Sequence, residues 1–180
     1  MKKLILLIAL CTMIVSCGPH YEEGEMVRRD REGYPVFYLT SVEGMDIYCN
    51  PECPPKEDLI HKVNQVKEKF SAHLTKREVR RATKGAEILF TSAPIYFGDR
   101  EVQGITHTVT KQVWIDYEHK CKPKGLCDGV FVYELGHLYM NVLDPEGTEE
   151  EWLEFRKEND LITTYNPEEV TEPSEDKSEI

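Results

Sequence analysis

The stretch that decides the reading is Val132-Tyr133-Glu134-Leu135-Gly136-His137-Leu138. It sits inside an apolar run that starts at Asp128 and reaches about Val142, long enough for four helical turns. Phe131, Leu135, Leu138 and Val142 recur at helical spacing and predict a buried stripe. Tyr133, His137 and Asn141 or Asp144 fall on another face. A strand-like segment, Gln112-Val113-Trp114-Ile115-Asp116, precedes the helix across a basic loop, His119 to Lys124. Thr148 with Glu151 has the spacing of a capping box and starts another helix, to about Asn159.

The heptapeptide resembles the HExxH helix of zincin metallopeptidases in its HELGH form, with Tyr133 where the first His belongs. The chemistry explains the spacing. Two His at i and i+4 share one helix face and hold one Zn²⁺, and the Glu after the first His acts as general base on the zinc-bound water. The resemblance implies an α+β, zincin-like fold: a small mixed sheet packed on a backing helix and an active-site-type helix. It assigns Glu134 as the catalytic base, His137 as a zinc ligand and Asp144, seven residues further on, as a candidate ligand. Glu149, Glu150 and Glu151 are alternatives of the gluzincin kind, and Val113 to Asp116 stands for the substrate-side edge strand. Tyr133 departs from the pattern. A phenol with a pKa near 10 binds zinc poorly unless deprotonated, so the expectation is a degenerate metallopeptidase-like domain, impaired or inactive in hydrolysis. An active enzyme with an altered ligand set, with His107 or His119 supplying the missing nitrogen, stays open. So do a non-catalytic binder of peptide or protein and an accidental ExxH.

The remaining chain reads as one domain with appendages. Its 180 residues hold a single core, and 40% hydrophobic with 31% charged residues is a globular balance. A formal charge of −11 with no dense basic cluster beyond Lys76, Arg77, Arg80 and Arg81 argues against a nucleic-acid partner. Val36 to Leu39 and Met45 to Tyr48 predict a strand pair around Gly44. Pro54-Pro55 opens a helix carrying Leu59, Val63, Val66 and Phe70 on one face. Thr75 with Glu78 caps a second helix ending near Gly85. Ile88 to Phe90 and Ile95 to Phe97 read as short strands, and His61 and His73 as solvated.

At the N-terminus, Lys2 and Lys3 precede a nearly unbroken apolar run, Leu4 to Val15. It is too short to span a bilayer, which needs about 20 residues, and has the architecture of a secretory signal. Ile14-Val15-Ser16-Cys17 resembles the lipobox of bacterial lipoproteins. That resemblance implies cleavage before Cys17, lipidation of its thiol and a cell-envelope protein held on a membrane facing the periplasm or exterior. The mature chain keeps 20 basic and 33 acidic residues, a net charge of −13. Four further cysteines, Cys49, Cys53, Cys121 and Cys127, suggest two disulfides in an exported chain; of three possible pairings the local one closes two short loops, and a four-cysteine zinc site, for which the spacings are a poor match, is the rival. The segments expected are a signal peptide (1–16), a lipidated tether (17–33), the α+β domain (34–162) and an acidic disordered tail (163–180).

Overall fold

Apolar alternation along the strands gives a sheet whose two faces differ in what covers them. The structure, a computed structural model, describes residues 21–30, 32–50, 52–117 and 128–161. Among these the strands are β1 (Met26–Arg29), β2 (Pro35–Val42), β3 (Met45–Asn50), β4 (Ala86–Thr91), β5 (Ile95–Phe97), β6 (Arg100–Val102), β7 (Gly104–His107) and β8 (Gln112–Asp116). The helices are α1 (Lys56–Ser71), α2 (Lys76–Thr83), α3 (Asp128–Leu143) and α4 (Glu149–Glu158). Six strands form one mixed sheet in the order β1-β2-β3-β4-β8-β7, and β5 pairs with β6 in a separate hairpin. The fold is α+β.

Local chemistry accounts for the connections. Glu43 and Gly44, between β2 and β3, have φ of 55° and 83°. Positive φ at both central residues is the type I′ geometry that matches strand twist, and the Thr83 hydroxyl supports it by donating to the Glu43 carbonyl at 2.8 Å. β3 and β4 are parallel, so a crossover must join them. α1 and α2 supply it. α1 buries Leu59, Val63, Val66 and Phe70 as its spacing predicts, and Thr75 and Glu78 form the expected capping box of α2. A disulfide joins Cys49, at the end of β3, to Cys53 on the approach to α1. Cys121 and Cys127 lie outside the described residues, as do Cys17, the signal segment, His119 and the 163–180 tail.

Two findings differ from the sequence reading. Met26–Arg29, within the 17–33 segment that reads as a tether, is a strand paired with β2. The second concerns the edge of the sheet. Gly104 to Asp116 divides into an antiparallel pair, so β8 is an inner strand parallel to β4, and β7 is the edge. Lys111, with φ of 55°, makes the turn between them. The loose alternation of this segment did not mark the break.

The main core lies between the sheet and the helices. Ile47, Ile88, Phe90, Val113 and Ile115 meet Phe70, Phe131, Leu135 and Tyr139 there. The other face carries a smaller cluster of Val36, Tyr48 and Leu89, flanked by Val27, Tyr38 and Trp114. α3 packs on α1, α2, β7 and β8. Phe131 to Met140 are buried without interruption, so α3 is a central helix enclosed on all sides rather than an amphipathic one with an open face. Among the described residues no helix is long and apolar enough to cross a membrane.

Candidate functional site

Side chains of α3 leave the helix in different directions and meet different neighbours. Glu134 turns to the edge strand. Gly104 makes room for it: a β-carbon there would lie 2.8 Å from Glu134 Cγ. Thr106 Oγ1 lies 2.7 Å from Glu134 Oε2 and 2.9 Å from the Glu134 main-chain oxygen. One hydroxyl hydrogen cannot serve two acceptors. Ionised, Glu134 Oε2 accepts from the Thr106 hydroxyl; protonated, Oε2–H donates to Thr106 Oγ1 and frees that hydroxyl for the main-chain carbonyl. Burial pushes the Glu134 carboxyl up to about 7, with the Thr106 hydroxyl opposing.

Tyr133 and His137, one turn apart, face α4 instead. The Tyr133 hydroxyl donates to Glu149 Oε1. His137 Nδ1 lies 3.5 Å from Glu149 Oε2. The two rings meet edge to face, centroids 5.0 Å apart, and the His137 ring also packs on Trp152 at 5.8 Å. Burial, and then the positive charge of Arg156, hold His137 down to about 3. The His137–Glu149 contact is therefore not an ion pair at neutral pH. Tyr133 is held well above the ordinary phenol range, first by burial and then by its bond to Glu149.

Arg156 of α4 completes the cluster. It has no exposed surface, and its guanidinium carbon lies 4.5 Å above the Tyr133 ring centroid. Nη2 donates to the Tyr133 carbonyl at 3.0 Å and approaches the Val132 carbonyl at 3.4 Å. A β-carbon on Gly136 would lie 2.7 Å from that nitrogen, so the glycine between Leu135 and His137 is what admits the cation. Nε and Nη1 have no hydrogen-bond partner among the described residues. Stacking on an aromatic face, worth about 2 kcal/mol when desolvated, and the nearby Glu149 offset part of the cost of burying the charge.

The expected ligands do not come together around one point. Glu134 is on the β7 side, His137 on the α4 side. Asp144 is exposed in the turn between α3 and α4, where its main-chain carbonyl accepts from Trp152 Nε1 at 3.0 Å and a β-carbon at Gly147 would meet its carboxylate. Glu151 is used by its capping box with Thr148. Glu149, one of three acidic alternatives, is the residue brought to Tyr133 and His137. His107 is on the opposite face of the sheet, edge to face with Trp114 at 6.4 Å. Thr106 faces α3, so its neighbour must face away, and His107 cannot supply a nitrogen beside His137. Among the described residues no group of three or more His, Cys, Asp or Glu is arranged to hold a metal ion.

These donors do not fit a catalytic zinc centre. Among the described residues one neutral imidazole and one carboxylate remain, the phenol is held protonated, and a second cation would have to enter beside a buried guanidinium. Sequence reasoning missed Thr106 and Arg156. The signal for Arg156 was present: it stands four residues after Trp152, on the inward side of α4. No known protein family, no curated protein and no solved structure matches this chain.

Proposed function

We propose that the chain is an exported, lipid-anchored cell-envelope protein whose domain is a non-hydrolytic relative of the zincin design. Its zinc-ligand positions are taken over by a metal-independent polar cluster. The observation that carries this reading is the divergence of Glu134 and His137. A general base must reach the water on the metal its neighbouring ligand holds. Here Glu134 ends on the Thr106 hydroxyl, while His137 ends beside a carboxylate already bonded to Tyr133. The string Tyr133-Glu134-Leu135-Gly136-His137 and an antiparallel edge strand lying along that helix support the zincin ancestry. The apolar run ending at Ser16-Cys17 supports export and anchoring.

The test is metal content and hydrolysis on one preparation of mature protein. The expected result is no stoichiometric zinc after purification without chelator, and no peptide hydrolysis that Glu134→Gln removes. Tightly bound stoichiometric zinc, with hydrolysis lost in both Glu134→Gln and His137→Ala, would overturn the reading and restore Glu134 as a general base.

A further inference from the structure

Among the described residues no helix covers the second face of the sheet, which carries the small Val36–Tyr48–Leu89 cluster. A groove of about 800 Å³ crosses it, walled by Leu89, Ile105 and Trp114 on the sheet side and by Tyr96 and Phe97 of β5 on the other. At the rim of the β5–β6 hairpin Tyr96 is 57% exposed and Phe97 70% exposed. Two adjacent aromatic side chains held in water on a hairpin are an unusual surface for a chain this acidic.

The chain enters the fold on the same face. Tyr21 packs on Tyr38 at 5.8 Å, and Tyr38 packs on Tyr48 at 5.8 Å. Gly24 N–H donates to the Tyr38 carbonyl at 2.8 Å, and Lys56 pairs with Glu23, so this entry segment is fastened to the sheet and to the start of α1. Cys17 precedes Tyr21 by four residues, a span of at most about 14 Å of extended chain. A leash that short delivers the entry face to the bilayer, whereas α3 and α4 lie on the far side of the sheet.

We propose that the helix-free sheet face rests on the membrane interface, with Tyr96 and Phe97 dipping into the headgroup region and the Tyr133–His137–Arg156 cluster turned away from the lipid. This rests on the reading of Cys17 as the lipidated residue. Tyr and Phe at the headgroup level gain from burying an apolar body while the Tyr hydroxyl stays wet. Electrostatics does not drive the contact. The mature chain is strongly acidic, and on this face Arg28 is paired with Glu87 at 3.0 Å. Neutral phosphatidylcholine is therefore the matching surface.

The chain supplies its own probes: its two tryptophans lie on opposite faces, Trp114 beside the groove and Trp152 in the helical core. Mature lipidated protein is bound to phosphatidylcholine vesicles with or without bromine on the upper acyl chain. Bromine quenches indole only at short range. Trp152→Phe protein, which emits from Trp114, should lose emission in brominated vesicles, and Trp114→Phe protein should not. In the otherwise unaltered chain, Tyr96→Ser with Phe97→Ser changes only exposed side chains. It should relieve the quenching while the protein still floats with the vesicles. Floating protein with Trp114 unquenched overturns the orientation, and a doubled mass in that case assigns the face to a second copy. Protein that fails to float, and behaves as Cys17→Ser does, overturns the anchor reading itself.

Discussion

Glu134 and His137 are three residues apart, both buried, and titrate in opposite senses. The Glu134 carboxyl has a folded-state pKa of about 7 against 4.5 when free, because burial disfavours its charge. The folded chain therefore binds the proton more tightly than the unfolded chain. Stability from this group is full below pH 4.5 and is lost as pH rises through 7, by roughly 3 kcal/mol at pH 8. His137 acts in the other direction. Its folded value of about 3 lies below the free 6.5, so its contribution is present above 6.5 and lost as pH falls towards 3. Comparing Glu134→Gln with the wild type at each pH cancels the His137 part. The amide keeps a partner for Thr106 and carries no charge. Urea midpoints should show the variant more stable than wild type at pH 8, with the difference vanishing near pH 4.5. A variant less stable at pH 8 would mean that the fold stabilises the Glu134 anion rather than penalising it.

At the scale of the element, α3 departs most from its sequence pattern. The spacing predicts a buried stripe with Tyr133 and His137 on another face, and eleven consecutive residues, Val130 to Met140, are buried. α4 closes the exposed side, bringing Trp152 and Arg156 over Tyr133 and His137. This gives Gly136 a role unrelated to any metal. Alanine there would favour the helix by about 1 kcal/mol, but its β-carbon would fall 2.8 Å from the guanidinium carbon of a side chain with no room to retreat. Overpacking of this kind costs about 1–3 kcal/mol. Gly136→Ala should therefore lower the melting temperature in the wild type but not when it is introduced into Arg156→Ala protein and compared with that single variant. Gly104 has the same function on the β7 side, where it admits Glu134.

At the scale of the molecule, the sheet is tied to the crossover by one short covalent loop. The Cys49–Cys53 bridge spans a sequence separation of four, for which loop-closure entropy is worth about 2 kcal/mol. Urea unfolding of Cys49→Ser with Cys53→Ala should show a loss of that order, with the same slope against urea as the wild type. Most of the framework was legible in the chain, because its signals are local. The α1 spacing of Leu59, Val63, Val66 and Phe70, the Thr75–Glu78 and Thr148–Glu151 caps and the turn at Gly44 each depend on residues close in sequence. The site was legible only as a string. Glu134 and His137 share a helix, and spacing alone cannot say that one meets Thr106, 28 residues earlier, and the other Glu149, 12 residues later. Nor can it say that a guanidinium 23 residues downstream lies over Tyr133. Periodicity fixes the direction in which a side chain leaves its helix. What it meets is decided by how distant elements pack, and here the closure of α4 over α3 made a buried polar cluster of residues whose spacing resembles a metal site.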